Sequence, residues 1–338
     1  MKIKNIDTEK KVFIVAEIGN NHEGNFNLAK KMISKAAAAG VDAVKFQTFI
    51  PEQFVSQKDQ IRFNKLKSFQ LNQKQFIELS EFAKKMGLIF FSTPLDLKSA
   101  KFLNKIQPIF KIASGDNNFY PLIDKIAGFG KPIIISTGIA DYKILKNTYN
   151  RIIKSWKLKK KSIANLSFLH CVSSYPVPNE QANIASILFL KKMFPKVVIG
   201  YSDHTLGIDA AVLSVVAGAR IIEKHFTLDK KYSNFRDHKL SADPKEMSLM
   251  VNKIRQAEEI LGKENKQYQF CEKEMKSLGR RSIAIGRDVN KGEKLFLSDL
   301  IWIRPGKGFP PGEERKVIGK KINQNLKFGQ ILKNTHFK

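Results

Sequence analysis

Eight short apolar runs each stop at, or a few residues before, a side chain suited to chemistry. VFIVAEI ends near Glu17, VDAVKFQ carries Lys45 and Gln47, LIFFST ends at Thr93, and PIFKIAS carries Lys111 and Ser114. PIIIST carries Ser136, LSFLHCVSSY runs past His170 to Ser173 and Tyr175, VVIGYSDH carries Ser202 and His204, and RIIEKHF ends in His225. Between them lie stretches with an amphipathic helical period, such as NLAKKMISKAAAAG, NQKQFIELSEFAKKMG and DAAVLSVVAGA, several closed by glycine. Strand alternating with helix predicts a parallel (β/α)8 TIM barrel. Catalytic groups in that fold sit at the carboxyl ends of the strands, where these polar residues fall. The chain reads as an enzyme.

Its 338 residues accommodate one barrel of about 250 residues and a small second domain. We expect the barrel over residues 1–262, a polar linker over 263–279 and a compact β-rich module over 280–338. In that module short apolar pairs flank glycine-bearing turns, as in NKGEKLF and LKFGQIL. A domain so small buries little apolar surface and needs support from a partner surface. The longest insertion, residues 49–72, falls between the second and third strands at the catalytic end, where it can serve as a lid.

No apolar run reaches the roughly 18–20 residues of a membrane span, and the charged start MKIKNIDTEKK lacks the core of a signal peptide. These features predict a cytoplasmic protein. Two cysteines, Cys171 and Cys271, supply neither a disulfide framework nor a thiolate metal cluster, and both read as reduced and structural. The net charge of +28 raises a nucleic-acid partner, but the lysines are scattered along most expected helices, without arginine clusters or interleaved aromatics. Lysine-biased composition is the better account, so neither nucleic acid nor membrane is expected as a partner. The charge still favours the approach of anionic substrates.

Glu17, before a glycine-bearing loop, suits accepting from substrate hydroxyls or positioning a water; a salt bridge to an interior lysine is the alternative. Lys45 and Lys111 interrupt apolar strands, where a buried cation needs an anion. With Thr93, Ser114, Ser136, Ser173 and Ser202 they describe a pocket for phosphate or carboxylate, with ion pairs to Glu17 or Glu223 as the plainer reading. His204 and His225 end neighbouring strands and are placed either to converge on one metal, with positions left open for water and substrate, or to serve structure alone. Asp237, in FRDHKLSADP, either reads a substrate hydroxyl or caps the next helix. His22, His170 and His238 carry no clear assignment.

These residues sit in AEIGNNHEG, VKFQTF, FSTP, KIASGDNNFYPLI, KPIIISTG, LHCVSSYP, GYSDHTLG, EKHFT and WIRPGKG. As an ordered set spanning nearly the whole chain, they resemble the sialic acid synthase family, transferases that condense phosphoenolpyruvate with an open-chain amino sugar to make nonulosonic acids. The resemblance implies a homodimer in which a C-terminal antifreeze-like SAF domain, a β-clip, covers the partner's active site; ice binding is not expected of it. It implies that His204 and His225 hold a divalent metal, usually manganese, with magnesium or cobalt as alternatives. Lys45, Thr93, Lys111, Ser114, Ser136, Ser173 and Ser202 are then expected to bind phosphoenolpyruvate. Gln47, Tyr175 and Asp237 are expected to contact the sugar, Glu17 to position it or the attacking water, and Arg304 of the other chain to bind the acetamido group. Bacterial sialic acid synthases carry asparagine at the place of Ser173, histidine at that of Phe46 and phenylalanine at that of Leu95, and their loop differs from FRDHKLSADP. The sugar therefore stays open among N-acetylmannosamine and the diacetamido precursors of legionaminic and pseudaminic acid.

Overall fold

Eight parallel strands, Phe13–Gly19 (β1), Ala43–Thr48 (β2), Ile89–Pro94 (β3), Phe110–Ile112 (β4), Ile133–Ser136 (β5), Leu166–Cys171 (β6), Val198–Asp203 (β7) and Ile221–His225 (β8), make one sheet in the order β3-β2-β1-β8-β7-β6-β5-β4. Its two outer strands, β3 and β4, are themselves in contact, so the sheet wraps into a near-closed barrel. No ladder joins them; instead the Ser92 N–H donates to the buried Gln107 side chain, just before β4, at 2.7 Å. The computed structural model describes residues 1–158, 162 and 165–337; the lysines that close RIIKSWKLKKKS lie outside this set. The chain divides into two compact units, Met1–Gly262 and Lys263–Lys338.

Alternation along each strand sends successive residues to opposite faces. Outward residues such as Ile14, Val44, Phe90, Ile135 and Ile222 join the helices in one large apolar cluster. Inward residues Phe13, Val15, Ala43, Ile89, Phe91, Ile134, Leu169 and Ile221 fill the lower barrel, beneath which Met1 and Ile3 of the hairpin Lys2–Ile3/Ile6–Asp7 pack as a plug. Gly200 is also inward: a β-carbon there would stand 2.4 Å from the Ile221 carbonyl oxygen and 2.5 Å from Leu169. Only glycine leaves room for the filling.

Local signals set the helix ends. Asn25 caps Phe26–Ala38 by accepting from the Leu28 N–H, Asn72 and Gln75 form a capping box on Gln73–Lys85, and Asp243 and Glu246 do the same for Pro244–Leu261. The insertion after β2 contains helices Pro51–Phe54 and Gln60–Phe69. In the second unit, Ser282–Ile285 (β9) pairs antiparallel with Leu300–Ile303 (β10) around a core that includes Ile283, Val317 and Leu332. The stretch 263–279 belongs to this unit and ends in the exposed helix Lys273–Gly279. Among the described residues no helix is long and apolar enough to cross a membrane.

Candidate active site

Two residues further up the barrel the inward positions become polar. Lys45 Nζ lies 2.9 Å from Glu17 Oε2, 3.5 Å from Glu223 Oε1 and 3.3 Å from Thr93 Oγ1. Lys111 Nζ lies 2.6 Å from Ser136 Oγ and 3.7 Å from Glu223 Oε1, which also accepts from Ser202 Oγ at 3.0 Å. All of these side chains are buried, so the ion pairs weighed as the plainer reading are present. They do not exhaust the layer.

Burial works against the Lys45 ammonium, but Glu17 and Glu223 outweigh it and hold its pKa above the usual value. At Lys111 burial outweighs the pull of Glu223, and its pKa falls. Burial likewise lifts the Glu17 carboxyl to about 7 in spite of Lys45. Glu223 is held below the ordinary range, because Lys111 and Lys45 together overcome its burial. Lys45 and Glu223 are thus the firmly charged pair, and Lys111 is a cation short of negative charge. An anion about 4 Å away would contribute about 4 kcal/mol of Coulomb energy per charge at an effective dielectric near 20, before desolvation.

Hydroxyls stand beside that cation. Ser114 opens the turn Ser114–Asp116 after β4, and a β-carbon on Gly138 would come within 2.7 Å of its Oγ and 2.2 Å of Ser173 Oγ. The glycine lets the loop after β5 run against both hydroxyls. Ser173 Oγ is buried with no partner among the described residues. Ser173 and Tyr175 lie beyond the end of β6, which stops at Cys171 because the next carbonyl, of Val172, turns to His204.

That contact orients His204. Its Nδ1 donates to the Val172 oxygen at 2.8 Å, so Nε2 is the nitrogen that carries the lone pair when the ring is neutral. Burial works against the imidazolium, but Cys171 and the Val172 carbonyl outweigh it and hold the His204 pKa above its usual value. The His204 and His225 ring centroids are 5.4 Å apart, and the Tyr175 ring stands 4.3 Å from that of His204. His225 Nδ1 is buried without a hydrogen-bond partner among the described residues, with Asp237 Oδ2 at 4.0 Å. Burial and then His204 push the His225 pKa well down, so the ring is neutral and able to ligate. Among the described residues no group of three or more His, Cys, Asp or Glu is placed to hold a metal. Two imidazoles with free nitrogens fit a divalent ion that takes its other ligands from water or substrate.

A cavity of about 550 Å³ opens at His225, lined also by Asn20, Gln47, Tyr175 and Asp237 and walled by Phe54, Leu66, Phe69 and Phe235. The insertion expected as a lid is therefore a wall of this cavity. It meets the loop after β1 closely: Gly24 has φ of +81°, and a β-carbon there would stand 2.2 Å from the Ser68 oxygen. Arg236 lies over the Tyr175 ring at 4.5 Å.

Of the residues singled out in the sequence, Glu17, Lys45, Thr93, Lys111, Ser136 and Ser202 share the ion-pair layer, with Ser114 and Ser173 at its hydroxyl edge. Gln47, Tyr175, His204, His225 and Asp237 gather around or beside the cavity. Arg304 is in the second unit, where its Nε donates to the Gly279 oxygen at 2.9 Å. His170 turns away to the Ala182 oxygen at 2.8 Å. Sequence reasoning missed Asn20, and it read Glu223 only as a pairing partner and Cys171 only as structural. Cys171 Sγ lies 3.5 Å from Ser114 Oγ and 3.8 Å from His204 Nδ1. The two-residue period, counted back from His225 and on from Leu169, would have placed both Glu223 and Cys171 inward.

A parallel barrel whose mouth places a buried lysine and carboxylate layer beside two neighbouring histidines has the arrangement of a barrel enzyme, with its polar groups at the carboxyl ends of the strands. Comparison with known proteins narrows this. Residues 32–266 match the NeuB family and residues 280–338 match the SAF domain, so the chain belongs to the NeuB family and carries the expected antifreeze-like module. It is 36% identical to the N,N'-diacetyllegionaminic acid synthase of Campylobacter jejuni, covering 96% of this chain and 99% of that one. It is also 36% identical to the pseudaminic acid synthase of that bacterium, over 100% of both chains. Among solved structures, the N-acetylneuraminic acid synthetase of Leptospira borgpetersenii superposes with a TM-score of 0.74 at 35% identity, covering 81% of this chain and 94% of that one.

Proposed function

We propose that the protein is a nonulosonic acid synthase that joins phosphoenolpyruvate, an open-chain N-acetylated amino sugar and water into a nine-carbon 2-keto acid and phosphate. The carrying observation is the layout of one barrel end: an ion-pair layer with an under-paired Lys111, beside a separate cavity lined by His225 and by Tyr175, whose ring packs on His204. Lys45, Lys111, Thr93 and Ser202 hold the carboxylate and phosphate of phosphoenolpyruvate, with Ser114, Ser136 and Ser173 around the phosphate oxygens. Gln47, Tyr175 and Asp237 hold the sugar so that its aldehyde carbon faces the methylene carbon of phosphoenolpyruvate, which makes the new bond. Glu17, whose carboxyl burial lifts to about 7, is suited to take a proton from the water that adds to the phosphate-bearing carbon. Loss of phosphate then breaks the carbon–oxygen bond. His204 and His225 would hold a divalent ion, manganese by the resemblance, whose Lewis acidity polarises the aldehyde.

In this reading the enzyme works in the cytoplasm as a homodimer, and the second unit of one protomer lends Arg304 to the acetamido group at the barrel of its partner. The test is phosphate release from phosphoenolpyruvate with manganese, using N-acetylmannosamine and the two diacetamido precursors. Release that requires one of these sugars and stops with chelator is the expected result. None with any sugar, from folded metal-supplied protein, would refute the assignment.

A further inference from the structure

The loop after β1 and the loop after β8 are tied together by buried and half-buried polar groups that the proposed chemistry does not use. His238 is 1% exposed. Its Nε2 donates to Glu23 Oε1 at 3.1 Å, and its Nδ1 meets the Thr227 hydroxyl at 2.7 Å. Ser233 Oγ donates to the same Glu23 oxygen. Two residues before Glu23, the Asn21 amide donates at 2.9 Å to both the Phe226 carbonyl and Ser241 Oγ, and Ser241 Oγ donates to the Asp237 carbonyl at 2.6 Å. Asp237 is thereby gripped from both sides, through its own carbonyl and through its neighbour His238.

Glu23 holds this grip at a cost. Its φ of +46° is left-handed, a region unfavourable for a residue with a β-carbon and one that persists where surrounding contacts demand it. The conformation sits in a loop whose next residue, Gly24, is pressed against the insertion helix. A strained glutamate whose carboxylate collects an imidazole and a hydroxyl from another loop is a fixed strut.

We propose that Glu23 and His238 are positioning residues for the amino sugar: their hydrogen bond sets the one-turn helix Asp237–Leu240 so that the Asp237 carboxylate faces the sugar cavity. This rests on the sugar-binding role given to Asp237 above. Among the described residues neither Glu23 nor His238 has a hydrogen bond or ion pair to the lysine layer, so the effect is expected on the sugar rather than on phosphoenolpyruvate.

The variant that isolates it is Glu23→Gly, because glycine accepts the left-handed backbone and removes only the carboxylate. Glu23→Gln is the control, since its amide oxygen still accepts from His238. With steady-state phosphate release as the readout, Glu23→Gly should raise the KM for the sugar about tenfold and leave the KM for phosphoenolpyruvate within about twofold, as expected for one lost positioning contact. Glu23→Gln should recover most of the loss, and Glu23→Gly should still unfold cooperatively, its melting temperature lowered by only a few degrees, the scale of one orphaned buried donor. Equal losses toward both substrates, or no recovery in Glu23→Gln, would overturn the proposal and leave the synthase reading standing. A wild-type enzyme that releases no phosphate with any amino sugar would overturn both.

Discussion

The barrel interior is two materials laid end to end on the same eight strands. Its lower half, around Phe13, Val15, Phe91, Ile134 and Leu169, is apolar and plugged by Met1 and Ile3. Its upper half, two residues along, is the lysine, carboxylate and hydroxyl layer of Glu17, Lys45, Lys111, Ser202 and Glu223. Apolar filling stabilises without regard to substrate, whereas buried charges contribute little net stability and are retained where a ligand needs them. The strand length separates the two tasks.

That division can be broken from either side. The largest effect is expected from His225→Ala, which should lower turnover by about 10²–10³-fold or more, the scale of losing one preorganised electrostatic group. Thermal unfolding should hardly move; a large drop in melting temperature would mean the upper layer also carries the fold. Phe91→Ala should do the opposite, costing about 3–5 kcal/mol of stability by opening a cavity in the lower half. Denaturant titration checks this, and the KM values of the surviving folded enzyme should stay near wild type.

The smallest effect concerns Glu17. Its carboxyl pKa stands at about 7 against the ordinary 4.5, with burial the leading cause. Folding therefore takes up a proton between these values: the stabilisation is full below the window and fades as pH rises through it. Glu17→Gln cannot titrate, so its melting temperature should gain on the wild type by a few degrees between about pH 5 and about pH 7.5. A difference that stays flat across this range would place the Glu17 pKa near its ordinary value.

Much of this was legible because a strand has a two-residue period and a barrel puts its chemistry at one end. The apolar runs marked all eight strands, and the polar residues that close them lie at the observed mouth. Reading failed where tertiary contact decides. The run LHCVSSY looked like one strand through Tyr175, yet β6 stops at Cys171 because the Val172 carbonyl orients His204. The helix Lys273–Gly279 gave no signal, since its residues are nearly all exposed and carry no apolar stripe. His238 and Glu23 stayed unassigned because their hydrogen bond joins residues 215 positions apart.

The central claim is that the polar half condenses phosphoenolpyruvate with an amino sugar by breaking the carbon–oxygen bond. Turnover of phosphoenolpyruvate labelled with ¹⁸O at its bridging oxygen, followed by mass spectrometry of both products, tests it most directly. The account predicts label in the phosphate alone, alongside an unlabelled nine-carbon keto acid that forms only with the sugar present. Label in the organic product, or phosphate release without any sugar-derived keto acid, would contradict it.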